Sequence, residues 1–256
     1  MDKFICAVAC SPMRAEPDHK SEMVSQLLFG ETVLMADRSK DEWIKVRCEY
    51  DGYEGWCQES HCEGLDQKKI DVARKRLNPG WVGEIQGTKF GLKIPFGSQL
   101  ALEARGQIAW KEEECRFKGD PWNPSKAPRK NAVIRNLAIL FLNSPYLWGG
   151  KTVYGTDCSG FTQTLFKFFN IPLLRDAWQQ AGQGQLISTI EESQCGDLAF
   201  FDNEKGSITH VGILMGEGKI IHASGKVRID EVNDQGIIKR ENSKLTHRMR
   251  SIKRLL

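Results

Sequence analysis

The chain has 256 residues, 40% of them hydrophobic, with seven Trp and a formal net charge of +3 from 36 Lys and Arg against 33 Asp and Glu. This is enough apolar material to core about two domains, and it excludes wholesale disorder. The near balance of charge argues against a strongly basic nucleic-acid binder, and no apolar run approaches the roughly 20 residues of a membrane-spanning helix.

Residues 1–65 read as short β-strands. A run over 26–34 breaks at Gly30, residues 43–47 alternate with period two, and Asp51-Gly52 turns into an aromatic strand. Strands this short and closely spaced suggest a small barrel. Residues 66–120 are similar in kind, punctuated by Gly and Pro through 80–83 and 91–97 and followed by a short apolar run at 107–110, and read as a second small β module. Residues 121–130 follow as a Pro-rich linker that can continue neither helix nor sheet.

Beyond the linker the pattern changes. Asn131 is placed to cap a helix running to Leu140 and stopping before Pro145. A second helix is expected after Asp157, with Phe161, Leu165, Phe168 and Phe169 on one face. Residues 198–201, 210–215 and 219–223 read as strands, the last two joined at Gly216-Glu217-Gly218. Helices first and sheet afterwards make residues 131–256 an α+β domain.

Eight Cys are too sparse for a disulfide scaffold. The start Met1-Asp2-Lys3-Phe4-Ile5-Cys6 lacks the basic and apolar stretches of a secretory signal, so a cytoplasmic location is expected. One cysteine stands apart. Cys158 opens an amphipathic helix, where unpaired N–H groups and a partial positive charge favour thiolate. His210 opens a strand, and His222 follows twelve residues later on the paired strand. A nucleophile needs a base within hydrogen-bond reach and a third polar group to orient that base. Spacing alone leaves two readings open, a catalytic thiol or a small buried core residue.

The segment Asp157-Cys158-Ser159-Gly160-Phe161 supplies more, together with Pro145-Tyr146-Leu147-Trp148-Gly149-Gly150, Gly196-Asp197-Leu198-Ala199-Phe200-Phe201 and the two His segments. In this order they resemble the NlpC-type (NlpC/p-sixty) cell-wall cysteine peptidases over about 130–256. The upstream part resembles, more loosely, the paired bacterial SH3-like domains of murein-peptide-recycling members. The resemblance implies a papain-like catalytic domain preceded by two small SH3-like β-barrels.

It further implies Cys158 as nucleophile, His210 as general base, His222 as the group orienting it, and Tyr146 beside the Cys158 N–H in an oxyanion hole. Asp157 and Ser159 would contact the γ-D-glutamyl part, Trp148 would wall the pocket, and Asp176 would pair with the substrate's free α-amine. Glu31 and Tyr53 are the counterparts of a further acid and Tyr from the first SH3-like domain. The implied reaction is hydrolysis of the γ-D-glutamyl-diamino acid bond of free murein peptides, L-Ala-γ-D-Glu-diaminopimelate or -Lys, in cell-wall recycling. The expected partners are murein-derived peptides with a free N-terminal L-Ala, with no nucleic acid, membrane or cofactor, and the expected state is a monomer. An amidase or acyltransferase on the same scaffold, and a non-catalytic murein-peptide binder, are the competing readings.

Two weaker signals remain. Cys57, His61 and Cys62, with Cys48 nearby, fit no common zinc spacing, and no metal is expected. The basic tail 239–256 reads as ending in an edge strand at 251–256, its charges facing water.

Overall fold

A computed structural model of the chain describes residues 2–65, 74–88, 91–103, 106–109 and 114–256. They form two compact units, Met1–Ala127 and Pro128–Leu256. Trp110 and residues 66–73, which open the second β stretch, lie outside the described residues.

The first unit begins with β1 (Lys3–Cys6), β2 (Cys10–Arg14), β3 (Met23–Leu28), β4 (Thr32–Arg38), β5 (Trp43–Cys48), β6 (Glu54–Gln58) and β7 (Cys62–Gly64). They pair in the order β3-β2-β6-β5-β4-β1-β7. The period-two alternation of β5 works as expected: Ile44 and Val46 are buried, Arg47 is exposed, and the inward residues join Met13, Leu27 and Val33 in one core. The break at Gly30 is real, with φ +78° in the left-handed region. Strands β8 (Arg74–Leu77), β9 (Val82–Gln86), β10 (Gly91–Pro95), β11 (Gln99–Leu102) and β12 (Arg116–Lys118) follow, as a β10-β9-β12 sheet and a β11-β8 pair. Ile5 and Phe29 pack in the same apolar cluster as Ile85, Ile94, Leu100 and Ile108, so one core runs through both stretches.

The second unit starts with α1 (Asn131–Ile139). Asn131, read as a cap, is instead the first helical residue; Lys130 takes the extended cap conformation and its carbonyl receives the N–H groups of Val133 and Ile134. A short hairpin, β13 (Lys151–Thr152) and β14 (Gly155–Thr156), leads into α2 (Cys158–Lys167), all ten residues of which are buried. After α3 (Ala177–Gln180) come β15 (Gln185–Ile187), β16 (Leu198–Asp202), β17 (Ile208–Gly216), β18 (Lys219–Ser224), β19 (Lys226–Asn233), β20 (Gly236–Lys239) and β21 (Lys244–Arg254). Their order is β15-β21-β16-β17-β18-β19-β20, and β20 also pairs with β21. Helix α2 lies against β17 and β18.

The C-terminal strand is not an edge. One side of β21 pairs with β16, while the other pairs with β20 near Lys244–Arg248 and with β15 at Ile252–Arg254. Eleven residues are long enough to serve two neighbours in succession. Its cations find carboxylates, Arg248 Nε 2.9 Å from Asp202 and Arg254 Nη2 2.7 Å from Asp197. No helix among the described residues is long and apolar enough to cross a membrane.

Candidate active site

The N-terminus of α2 is built around Asp157. As its cap, Asp157 accepts from Gly160 N–H at 2.6 Å through Oδ1 and from Gly149 N–H at 2.9 Å through Oδ2. Arg175, 1% exposed, donates Nη1–H to Oδ1 at 3.1 Å, Nη2–H to Oδ2 at 2.5 Å, and Nη1–H to Ser159 Oγ at 3.0 Å. Ser159 in turn donates to Oδ1 at 3.3 Å. Five protein donors converge on this one carboxylate. Asp157, expected at the γ-D-glutamyl group, also anchors the helix start, and Ser159 has its one donor turned toward it. Gly160 permits this arrangement, because a methyl there would overlap the Gly150 carbonyl oxygen.

Cys158 sits one residue beyond that cap, buried against β17. The backbone N–H groups of Val211 and Ser159 and the charge of Arg175 favour its anion, but burial and the Asp157 charge outweigh them and push the thiol up to about 12. Burial thus works against the thiolate that the helix N-terminus favours, and a nearby base would assist its ionisation.

The Val211 N–H that addresses the sulfur belongs to the residue after His210 on β17. His210 Nε2 lies 2.8 Å from His222 Nδ1, and His222 Nε2 lies 3.0 Å from Asp230 Oδ2. All three side chains are buried. Gly212, opposite His222 in the β17–β18 ladder, leaves room for this diagonal contact; a methyl there would stand 2.9 Å from His222 Cβ. His247 on β21 stacks on His210, ring centres 4.3 Å apart and planes 27° apart. Burial, with His222 and His247 nearby, holds His210 well below its ordinary 6.5, so at neutral pH it is an unprotonated base.

Tyr146 lies within the field of Cys158 and Asp157, and burial together with those charges raises its phenol pKa, keeping an O–H available to donate. Trp148 is exposed on the loop before β13. Asp176 is the half-buried cap of α3, in a capping box whose return bond runs from its N–H to Gln179 Oε1 at 2.9 Å. Glu31 and Tyr53 belong to the first unit. Glu31 is buried in the β3–β4 turn, accepting from Leu28 N–H at 2.9 Å, and Tyr53 is half-buried in the turn before β6. In the same unit His61 Nδ1 bonds Ser11 Oγ at 2.9 Å, and among the described residues no group of three or more His, Cys, Asp or Glu is placed to hold a metal.

Asp230 and His247 escaped the sequence reading, and Arg175 entered it only as the neighbour of Asp176, with no role of its own. Arg175 had a signal, since it and Asp176 are a charged pair inside an otherwise apolar stretch at 171–177. Asp230 and His247 had none, since each reaches the relay only through sheet register.

Comparison with known proteins finds relatives of both parts of the chain. A model of the NlpC/P60 family matches residues 143–246, and one of the bacterial dipeptidyl-peptidase Sh3 domain matches residues 13–61. The chain is 31% identical over 217 residues to the gamma-D-glutamyl-L-lysine dipeptidyl-peptidase of Bacillus subtilis (strain 168), covering 78% of this chain and 71% of the relative. A protein of the same name from Bacillus cereus is 29% identical over 246 residues, covering 85% and 73% respectively. The crystal structure of an NlpC/P60 family protein from Bacillus cereus matches with a TM-score of 0.83 over 98% of this chain and 99% of that one; at 23% identity the likeness is one of fold.

Proposed function

Since the chain belongs to the NlpC/P60 family of cysteine peptidases and carries a bacterial SH3 domain, we propose that it hydrolyses the γ-D-glutamyl-diamino acid bond of free murein peptides in cytoplasmic cell-wall recycling. The observation that carries this reading is a buried thiol at a helix start, addressed by the N–H next to His210, with His210 backed by His222 and Asp230. A helix-borne Cys against a strand-borne His is also the arrangement of papain-like enzymes, and we assign the second β module to the SH3-like class. The names of the two Bacillus relatives support the γ-D-glutamyl bond and put Lys first among leaving groups.

The mechanism follows from the resting protonation states. His210 takes the Cys158 proton as the sulfur attacks the γ-D-glutamyl carbonyl, and the oxyanion receives the Tyr146 O–H and the Cys158 N–H. His210 then passes the proton to the departing amine, leaving a thioester. Water, deprotonated by His210, cleaves the thioester and restores the thiol.

This sequence requires neutral His210, so kcat/KM should fall only on an acid limb below pH 6.5 and stay flat to about pH 8, well under the thiol. Around His210 the titrating neighbours are His222 and His247, with Asp230 and Arg228 behind them; Asp157 and Arg175 flank the thiol. An acid limb above 6.5 would contradict the lowered His210, and a basic limb at about 8.5 would indicate a resting thiolate–imidazolium pair losing its imidazolium proton.

The deciding experiment compares L-Ala-γ-D-Glu-L-Lys and its diaminopimelate analogue with the same peptides acetylated at the N-terminus. Release of L-Ala-γ-D-Glu from the free peptides is expected, with acetylation costing about 10²-fold or more through loss of the amine that Asp176 is proposed to bind. Cleavage of both forms alike removes that role from Asp176. Cleavage of neither overturns the peptidase reading in favour of an amidase, an acyltransferase or a binder.

A further inference from the structure

We propose that Asp230 is a positioning residue that decides which nitrogen of His210 is basic, a role that rests on the peptidase reading above. Asp230 is 3% exposed. Its Oδ1 accepts from Arg228 Nη2–H at 2.9 Å and from Arg240 N–H at 3.1 Å, while its Oδ2 lies 2.8 Å from Arg228 Nε and 3.0 Å from His222 Nε2. Burial opposes the charge on Asp230, but the bonds from His222, Arg228 and Arg240 outweigh it and keep the group a carboxylate.

A carboxylate has only lone pairs to offer, so the hydrogen between it and His222 belongs to His222 Nε2. A His222 that carries only this one hydrogen has a bare Nδ1, which faces His210 Nε2 at 2.8 Å. Two bare nitrogens cannot bond to each other, so His210 Nε2 carries a hydrogen as well. That leaves His210 Nδ1 as its only lone pair, and the thiol proton must go there. When it does, the imidazolium keeps its Nε2–H on His222, and the Asp230 charge faces it through a single ring. No proton has to reach Asp230. The β18–β19 ladder makes this possible: Arg228 is opposite His222, and Asp230, two residues on, shares that face of the sheet.

A purely structural Asp230 would simply neutralise Arg228, which also reaches Glu241 at 3.3 Å. Asp230→Asn separates the two roles. The donors on Oδ1 hold the amide oxygen there and turn the amide NH₂ toward His222 Nε2. His222 must then accept at Nε2 and donate from Nδ1, and His210 is left with Nδ1–H toward the thiol. In Ser-His-Asp triads the same exchange lowers kcat by about 10⁴ through the wrong tautomer. Here, two rings from the reaction, the expected loss in kcat on L-Ala-γ-D-Glu-L-Lys is about 10²- to 10⁴-fold, with KM changed much less. The rate of Cys158 alkylation by iodoacetamide at pH 7.5 should fall in parallel.

The spectroscopic readout is ¹H–¹⁵N correlation of the imidazoles in the full-length protein. Wild type should show His210 and His222 both protonated on Nε2, and Asp230→Asn should show both on Nδ1. A wild-type His210 protonated on Nδ1 overturns the proposal, as does an Asp230→Asn protein that melts like wild type and keeps kcat within about threefold. If that variant does not fold, the wild-type tautomers decide alone. Failure of the peptidase reading shows separately, as a wild type that cleaves no peptide while its tautomers and alkylation rate still judge Asp230.

Discussion

Cys158→Ala is expected to lower peptide turnover by on the order of 10⁵- to 10⁶-fold while leaving the second unit folded. Removing the nucleophile from a preorganised triad costs about that much in kcat, because the covalent path is lost and only binding and the oxyanion donors remain. Alanine keeps the Cys158 N–H and the helix start, and deleting one small buried atom costs only about 1 kcal/mol. Cys195, the other cysteine of this unit, is the internal control. Its thiol points at the Asn131 carbonyl, 3.8 Å away, and at Arg135, far from the relay in sequence and in partners. Cys195→Ala should therefore turn over peptide as wild type does. Single-turnover assays and thermal unfolding of both variants make the check; a Cys158→Ala protein within tenfold of wild type would place the nucleophile elsewhere.

Arg175→Met should be the most damaging change to stability at this site. The methionine roughly fills the volume but leaves Asp157 buried with no countercharge, a situation that costs about 3–5 kcal/mol. For a unit of this size that corresponds to a drop of roughly 10–20 °C in Tm. Activity should fall with it, since Asp157 caps the helix at the residue before Cys158 and ties Gly149 to it. The double variant Arg175→Met with Asp157→Asn should recover part of the loss. An asparagine can still cap through its oxygen, but it presents NH₂ where Gly149 N–H needs an acceptor. Denaturant unfolding of the two singles and the double gives the coupling energy. A single-variant cost below about 1 kcal/mol would mean that the guanidinium is solvated, as in a surface pair.

Much of the local structure was legible in the chain. The period-two alternation over 43–47 became β5, the glycine at 30 became a left-handed turn, and the apolar face of Phe161 and Leu165 became the buried helix α2. The Gly216-Glu217-Gly218 turn delivered the β17–β18 hairpin and with it the approach of His210 to His222. Each of these rests on contacts within about a dozen residues, where side-chain type and backbone period leave few alternatives.

The departures have the opposite character. The partner of Asp157 is an arginine 18 residues away, which no local pattern around the motif announces. The tail 251–256 looks like an edge because alternating charge suits water, yet β15 and β20 both pair with β21. Asp230 and His247 come to the imidazoles only because β19 and β21 take one register rather than another. A one-residue slip in either strand would turn those side chains to the opposite face. Composition and period decide which residues can form a strand or cap a helix. Which strands then meet, and at what offset, depends on burying the whole core at once and on satisfying each buried charge, and neither requirement is visible in any short stretch of chain.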